Sequence, residues 1–345
     1  MEPSHYVGLD VSQELTSVCV IDEQGAVVWR GKCATDPDAI TGTIHRHAPR
    51  LVRAGLETGL LSNFLTRALR TRGVPVVCLD ARHAKAVLRV PINKTDANDA
   101  HGLAQVVRTG WIREITIKSM DAQSLRLLLV ARAQLVSQRQ ATANTLRGLL
   151  KAFGHVVRKG AGGLFASRVR EVCDDNPALC AIAEPMLAVW QSLREQIRIL
   201  DGQLLKRAKS DPAARRLMSI PAVGVIVALA YVAVIDNPER FRQSSTVGAY
   251  LGLTPRRYQS GDVDCAGHIS KCGDGLLRSY LFQAANATLT RKVTDSTLRS
   301  WGRALAARIG LRRSTVAVAR KLAIIMHVVW KSDRDFDCAG IPARV

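Results

Sequence analysis

The sequence is poor in aromatic residues, in long apolar runs and in acidic residues. Phe, Trp and Tyr together make up 5% of the chain. The longest apolar run, residues 222–235, spans 14 residues, whereas a membrane-spanning helix needs about 20. The first residues lack the charged and then apolar pattern of a secretory leader. We therefore expect no membrane partner and a cytoplasmic location.

The sequence also lacks any C-x-x-C pair, although it has 8 cysteines. A chain of 345 residues with 47% apolar residues can bury cores without cross-links. We interpret the cysteines as reduced thiols. Cys265, His268 and Cys272 could be imagined as part of a zinc site, but their number and spacing do not fit one, and we set zinc aside.

The chain is strongly basic because it has few acidic residues. Its 49 Lys and Arg against 29 Asp and Glu give a formal charge of +20. This balance is typical of proteins that bind a polyanion, nucleic acid before a membrane surface. Residues 255–331 contain 14 Lys and Arg and four Asp, so half of the excess charge lies in the last quarter of the chain.

The first part of the chain alternates strand and helix patterns. β-Rich or apolar runs predict strands at residues 6–11, 17–21, 26–29, 51–56 and 75–79. Helical patterns are predicted at residues 36–47, 58–72 and 96–108. The order βββαβαβα is the ribonuclease H arrangement, so we expect an α/β domain of that type at residues 1–118.

Four acidic residues stand at the ends of three of these elements. Asp10 closes the first strand and Glu57 closes the fourth, while Asp96 and Asp99 share one face of a helix start. Acids at a helix start also favour its dipole, so this pair alone leaves a solvated turn open. Carboxylates clustered together repel one another unless a cation is bound. We therefore predict that these four acids hold Mg²⁺ for phosphodiester chemistry, with Lys94 contacting a phosphate or neutralising the cluster.

The middle and the end of the chain are predicted to be mostly helical. Long helical patterns at residues 121–153 and 178–209 suggest a coiled-coil linker or dimerisation arm at 119–209, with a plain helical bundle as the alternative. At residues 215–225 a Pro/Gly turn between apolar helices favours a helix-hairpin-helix element that could hold a phosphate, although such turns also occur in plain cores.

A serine in a basic loop is the second candidate for chemistry. Ser260 precedes a glycine, and such a residue is usually only part of a turn. Here four cations could hold a phosphate beside it, namely Arg256, Arg257, Lys271 and Arg278. This context favours a nucleophile or a phosphate contact, in a domain at residues 210–345.

Several linked motifs resemble the DEDD transposases of bacterial insertion sequences, which are described as bridge-RNA-guided recombinases. The motifs are GLD at 8–10, GLETG at 55–59, NKTD at 93–96 with Asp99, SIPAVG at 219–224 and GLTPRRYQSG at 252–261. The resemblance spans about residues 5–335 in order. Ala222 stands where the family more often has glycine.

The resemblance implies a fold and a mechanism. In the family, the N-terminal domain is RuvC-like, and an Asp, Glu, Asp, Asp set binds Mg²⁺; Asp10, Glu57, Asp96 and Asp99 match this set. The C-terminal transposase domain of the family supplies a nucleophilic serine, and Ser260 matches it. The implied reaction is an attack on a DNA phosphate that gives a covalent phosphoserine and a free 3′-OH, followed by strand exchange through a Holliday junction without ATP.

The resemblance also implies partners. They are donor and target DNA, a noncoding guide RNA (the bridge RNA) and further copies of the chain, as a dimer and as a tetramer on nucleic acid. In that assembly the two halves of each site come from different protomers. We therefore expect a bacterial protein that associates with the nucleoid when bound to DNA.

The residues leave three other functions open. With water as the nucleophile, the same acids would make a hydrolytic nuclease or Holliday-junction resolvase in which Ser260 only supports a loop. A non-catalytic RNA- or DNA-binding scaffold would need only the charge. An actin-like ATPase would need a Gly-rich turn after Asp10, and residues 11–14 lack one.

Overall fold

The computed structural model describes residues 3–87, 95–157, 163–291 and 294–337. The chain forms two compact units, Met1–Lys118 and Ser119–Val345. The three-domain division at residues 1–118, 119–209 and 210–345 remains a prediction. Within the described residues, no helix is long and apolar enough to cross a membrane.

The first unit is a mixed α/β structure. Its strands are β1 His5–Val11, β2 Leu15–Ile21, β3 Val27–Ala34, β4 Leu51–Glu57 and β5 Val76–Leu79. Its helices are α1 Pro37–His47, α2 Ser62–Thr71, α3 Ala81–Val87 and α4 Asp96–Thr109. The predicted helix at 58–72 begins later, because residues 59–61 form a turn, and α3 was not predicted from the sequence.

The strands of the first unit form one sheet in the order β3-β2-β1-β4-β5. β2 is antiparallel to both of its neighbours, while β1, β4 and β5 are parallel. The carboxyl ends of these three parallel strands therefore meet at one edge of the sheet. Gly8 pairs with Gly55 and Leu9 with Leu56, so Asp10 and Glu57 end neighbouring strands at the same level.

Helices cover both faces of this sheet because buried strand residues are apolar on both sides. Val18 and Val20 of β2 pack in the cluster that includes α1 and α2. Cys19 and Ile21 point to the opposite face and pack with Ala100 and Ala104 of α4. Successive side chains of β2 thus point to opposite faces, and both faces are apolar because helices cover both sides of the sheet.

The glycine of β1 lets α4 lie directly on the sheet. A Cβ atom at Gly8 would stand 1.9 Å from the carbonyl oxygen of Ala100 and 2.5 Å from the amide nitrogen of Ala104. In β4, a Cβ at Gly55 would stand 2.4 Å from Cγ1 of Val107. Both contacts need the absence of a side chain, so α4 approaches closely the two strands that carry Asp10 and Glu57 at or near their ends.

The second unit is mostly helical. Its helices are α5 Met120–Ala152, α6 Leu164–Cys173, α7 Pro177–Ser210, α8 Pro212–Leu217, α9 Val225–Ile235, α10 Thr246–Tyr250, α11 Gly275–Thr290, α12 Thr297–Ile309 and α13 Leu311–Ser332. A short hairpin is formed by β6 Pro255–Ser260 and β7 Val263–Ile269. The coarse fold class, an α/β sheet followed by a mostly helical remainder, is thus confirmed.

The two long helices α5 and α7 run antiparallel. Arg207, near the end of α7, pairs with Asp121 at the start of α5, and Nε of Arg132 lies 2.5 Å from Oδ1 of Asp201. Toward the other ends of these helices, Leu146 and Leu187 belong to one buried cluster, which α6 helps to close. The sequence did not predict α6.

Helices α5, α7, α8 and α11 pack against α9, which carries no charged residue. Tyr231 at its centre is fully buried and donates a hydrogen bond of 2.7 Å to the carbonyl oxygen of Ala323 in α13. Most residues of the stretch 322–330 in α13 are buried. Most of residues 228–235 in this apolar run therefore belong to the core of this unit.

The turn between α8 and α9 contains a strained residue. Ala222 has a φ of 68°, in the left-handed region that costs an L-residue roughly 1–2 kcal/mol. The family resemblance implies that glycine is more usual at this position. Glycine adopts this conformation without a Cβ clash.

The contact at Gly8 gives a stability prediction. Gly8→Ala should lower the free energy of unfolding of the first unit by about 1–3 kcal/mol or more, because Ala100 and Ala104 are backbone neighbours that cannot rotate away. Gly42→Ala in α1 is the matched control. It meets nothing within 4 Å and should stabilise by roughly 0.5–1 kcal/mol. Urea unfolding monitored by circular dichroism measures both, and equal effects would contradict the close approach of α4.

The strained turn gives a second prediction. Ala222→Gly should raise the free energy of unfolding of the second unit by about 0.5–1 kcal/mol, since relief of left-handed strain exceeds the added freedom of the unfolded chain. Ala213→Gly within α8 should instead destabilise by roughly 1 kcal/mol. Thermal unfolding of the two variants should shift in opposite directions, and a loss of stability in Ala222→Gly would refute the strain.

Candidate active site

Asp10 and Glu57 line one cavity at the carboxyl edge of the sheet. The cavity has a volume of about 600 Å³ and is also lined by Ser12, Thr58 and Ser62. Both acids are partly exposed. The site exists because parallel strands β1 and β4 end side by side, with a turn after each that leaves the edge open.

Asp96 and Asp99 lie in the first turn of α4. Thr95 caps this helix, and its side-chain oxygen accepts a hydrogen bond of 3.2 Å from the amide of Asn98. Nζ of Lys32, on β3, lies 2.9 Å from Oδ2 of Asp96. The Asp96 side chain is 65% exposed, and an exposed ion pair is worth at most about 1 kcal/mol, so an incoming charged group can displace it.

The structure brings two of the four predicted acids into one cavity. Asp96 and Asp99 do not belong to the described lining of that cavity. Among the residues that the structure describes, no group of three or more His, Cys, Asp or Glu side chains is arranged to hold a metal ion. The four-acid Mg²⁺ set therefore stays a prediction, and so does the role of Lys94, which lies outside the described residues.

The pair Asp10 and Glu57 nevertheless suits Mg²⁺. This ion usually keeps several waters and is held by one or two carboxylates together with substrate phosphates. An open cavity with two carboxylates at its rim leaves room for such a phosphate. The donor set thus fits the metal, with Asp10 and Glu57 as the residues that would hold it.

Asp80 is a further acid at this edge that the sequence analysis missed. It directly follows β5, the third parallel strand, and is 7% exposed. Its Oδ1 accepts a hydrogen bond of 2.9 Å from the amide of Arg82, and Arg82 and Arg113 pair with its carboxylate. An acid at the end of an apolar strand was the available signal, but these contacts give Asp80 a structural role at the start of α3.

Ser260 is the last residue of β6, at the tip of the hairpin. It pairs with Val263 across the turn Gly261-Asp262, and Gly261 has a φ of 54°, which glycine tolerates at the first position of a tight hairpin turn. The sequence predicted a turn here, and the structure adds that the turn belongs to a β-hairpin.

The hairpin has no buried face. Every residue of β6 is exposed, and in β7 all but Ile269 are exposed. Tyr258 and Val263 are 60% and 59% exposed. A two-stranded hairpin is only marginally stable in water by itself, so this arrangement is typical of an element that packs against another molecule.

The four predicted cations around Ser260 have different environments. Arg257 faces Asp264 across the hairpin and donates from Nε at 2.8 Å. This hydrogen bond holds the pKa of the Asp264 carboxyl below its ordinary value. Arg256 is exposed and reaches the carbonyl oxygen of Ser270 at 3.3 Å, and exposed Lys271 follows the hairpin.

Arg278 differs from the other three because it is bound to the backbone. Its Nη1 donates to the carbonyl oxygens of Cys272 at 2.9 Å and Leu251 at 3.1 Å. These bonds fix the loop that precedes α11. Its predicted phosphate contact therefore competes with a structural role, while Arg256 and Lys271 are better placed to reach an anion.

Comparison with known proteins gives a consistent picture. Residues 7–154 match a family model described as "Transposase", and residues 214–300 match a model described as "Transposase IS116/IS110/IS902 family". The chain is 27% identical over 352 residues to the transposase for insertion sequence element IS1111A of Coxiella burnetii, covering 99% of this chain and 93% of that protein.

Two further relatives are similar over most of the chain. The putative transposase y4pF/y4sB of Sinorhizobium fredii is 30% identical over 276 residues, which is 78% of this chain and 70% of that protein. The transposase for insertion sequence element IS1328 of Yersinia enterocolitica is 26% identical over 272 residues, which is 78% of this chain and 80% of that protein.

The cap of α4 gives a prediction for the acids that follow it. Thr95→Ala should lower the stability of the first unit by about 1 kcal/mol and should speed amide exchange in the first turn of α4, which carries Asp96 and Asp99. Thr95→Ser keeps the hydroxyl and serves as the control. Hydrogen exchange measured by mass spectrometry tests this, and unchanged exchange in the alanine variant would contradict a capping role.

Proposed function

We infer the function from the premise that this chain belongs to the IS116/IS110/IS902 family of transposases, and we propose that it is an RNA-guided recombinase of an insertion sequence. DNA transposition is the activity of the family. The proposal concerns how this chain performs it: with a RuvC-like acidic site in the first unit, a serine nucleophile in the second and a guide RNA that selects the DNA.

The strand order supports a ribonuclease H or RuvC-like first unit. Three parallel strands at one side of the sheet and two antiparallel strands at the other are the arrangement expected for that fold. Asp10 and Glu57 end neighbouring strands at its open edge, and α4 begins with Asp96. The chemistry that Mg²⁺ would supply at this edge is polarisation of a phosphate and stabilisation of the oxygens that attack and leave.

The observation that carries the nucleophile proposal is the place of Ser260 on an exposed hairpin. Its hydroxyl is presented to solvent on the strand that also carries Arg256 and Arg257, and cations of this kind can hold a phosphate and offset charge on it. In the proposed step, Oγ of Ser260 forms a bond to a DNA phosphorus and the bond from phosphorus to the 3′-oxygen breaks. The serine loses its proton to a base, the 3′-oxygen gains a proton, and the phosphoserine ester conserves the bond for strand exchange.

Exposed apolar residues on the helical part support the proposed assembly. α5 exposes Leu127 and Val130, and α7 exposes Ile199 and Leu205. We propose that α5 and α7 form a coiled-coil arm through which copies of the chain associate, as dimers and then as a tetramer on nucleic acid. Each active site would then combine the acids of one copy with the Ser260 of another, in the cytoplasm at the nucleoid.

The proposed guide explains why the chain need not read DNA sequence itself. Base pairing between a noncoding RNA and the donor and target DNA would select the sites, while the protein contacts backbones. The excess positive charge of residues 255–331 supports such backbone contacts. The net charge of +20 also suits a long polyanion such as RNA, because it can balance many phosphates at once.

The test is a denaturing-gel assay with purified protein, its candidate flanking RNA, labelled donor and target DNA and Mg²⁺. We expect a protease-sensitive adduct between protein and DNA that Ser260→Ala abolishes. Asp10→Asn should reduce it by several orders of magnitude, since a metal-holding charge is removed. Ser279→Ala, an equally small change at an exposed serine of α11, should leave the adduct unchanged.

Two outcomes would overturn parts of this mechanism. Cleavage that requires Mg²⁺ and Asp10 but persists in Ser260→Ala without an adduct would identify a hydrolytic nuclease that uses the Asp10 and Glu57 cavity. Absence of cleavage and adduct in the wild-type protein under every nucleic-acid combination, with binding retained, would identify a scaffold. Omitting the RNA tests the guide separately.

A further inference from the structure

A basic groove in the second unit lies at the base of the hairpin. It has a volume of about 1190 Å³ and is formed by residues of α11, α12, α13 and the ends of β6 and β7. Sites for single small molecules in proteins are typically about 300–1,000 Å³. The groove therefore has room for an extended ligand.

The charges of this groove are of one sign. Its cations are Lys271, Arg312, Arg313, Arg320 and Lys321, and none of the described residues that line it is Asp or Glu. No described acid is paired with Arg312, Arg313 or Arg320. Cations crowded together without acids repel one another, so the groove is electrostatically suited to an anion that carries several charges.

The start of α13 adds to this imbalance. Arg312 and Arg313 stand in its first turn, which contains no acid, and Gly310 provides no side-chain cap. The helix dipole disfavours cations at this end. The two arginines are therefore placed against the local field of their own helix, a cost that a bound anion would offset.

The floor of the groove is apolar and aromatic. Trp301 of α12 and Phe282 of α11 line it together with Ile324. Phe282 is 37% exposed, and Nζ of Lys321 lies 4.4 Å from the centroid of the Trp301 ring. The Lys321 ammonium over the ring can contact a phosphate, while exposed Phe282 and the part of Trp301 that stays accessible offer a surface for bases.

We propose that this groove binds an unpaired stretch of nucleic acid, with phosphates on the arginines and bases against Trp301 and Phe282. The inference rests on the proposed function only in taking nucleic acid as the partner. Unpaired strands expose their bases for stacking on aromatic rings. A duplex keeps its bases inside and would use the cations but not the apolar floor.

The position of the groove relates the bound strand to the hairpin. Pro255 begins β6 at the groove, and Ser260 ends the same strand five residues later, about 17 Å away for an extended strand. A single strand that leaves the groove along the hairpin would pass the candidate nucleophile. The groove would therefore hold the strand on which, or next to which, the serine acts.

Fluorescence anisotropy of the full chain in EDTA tests the groove. Labelled single-stranded DNA, single-stranded RNA of the same sequence and blunt duplex DNA are titrated at several salt concentrations. Arg312→Gln/Arg313→Gln should weaken single-strand binding several-fold and should lower the steepness of its salt dependence by about 1.4, since each phosphate contact with a single strand contributes about 0.7. The DNA and RNA arms identify which strand binds more tightly.

Arg303→Gln/Arg308→Gln is the matched control. It removes the same charge from exposed positions of α12 that do not line the groove, and it should change the salt dependence much less. Single strands should also quench tryptophan fluorescence in the wild-type protein, and Trp301→Phe should remove most of that quenching while the circular dichroism spectrum stays unchanged.

Each other outcome would overturn the proposal. Equal effects of the two double variants would show only general attraction by charge. Equal affinity for the blunt duplex, or unaltered quenching in Trp301→Phe, would exclude binding of unpaired bases at this floor. A change in sedimentation of Arg312→Gln/Arg313→Gln without a change in oligonucleotide affinity would assign the groove to a second copy of the chain. Because the assay contains no Mg²⁺ and needs no Ser260 chemistry, its failure is distinguishable from failure of the recombinase mechanism.

Discussion

The direct contact of α4 with the backbone of β1 is the constraint on which the first unit depends. With only 1.9 Å between a Cβ at Gly8 and the Ala100 oxygen, helix and strand have no side chain between them to absorb a shift. The same helix begins with Asp96, and the same strand carries Asp10 near its end. The spacing of backbones therefore sets the spacing of candidate catalytic carboxylates. Misplacement of a catalytic group by about 1 Å can lower the rate a hundredfold. Under the proposed mechanism, the close contact of Gly8 with Ala100 would therefore matter for the rate as well as for stability.

The charged groups of the two units differ in how firmly they are held. Lys32 with Asp96 and Arg257 with Asp264 form exposed pairs between adjacent elements, and such pairs can exchange a carboxylate for a phosphate at little cost. Arg278, by contrast, is tied to backbone carbonyls, and buried Asp80 is held by Arg82 of α3 and by Arg113. Side chains in the exposed ion pairs are suited to contact a substrate. Arg278 and Asp80, which are held by several bonds, are suited to stabilise the local backbone.

Much of this organisation could be predicted from the sequence. The Asp36-Pro37 start of α1, the apolar strands and the long helices all have strong local signals, and the structure follows them closely. Other features have no local signal in the sequence. The exposed strands β6 and β7 alternate in no hydrophobic pattern because neither face is buried. α6 is short and preceded by glycines. Whether Asp96 and Asp99 reach Asp10 depends on the packing of α4, which no local pattern encodes, and the acids of the four-member set were recognised through family resemblance as much as through spacing.

The bare hairpin has a consequence for when the protein can react. A side chain on an element that packs against nothing samples many positions, so the effective concentration of the Ser260 hydroxyl at any one phosphate is low in the isolated chain. Binding to nucleic acid or to another protomer restricts the hairpin and raises that concentration. Under the proposed mechanism, the free protein would therefore be a poor nucleophile toward random DNA, and reactivity would arise only where the complete complex has formed. On that mechanism, the lack of packing in the free state would limit cleavage of DNA outside the assembled complex.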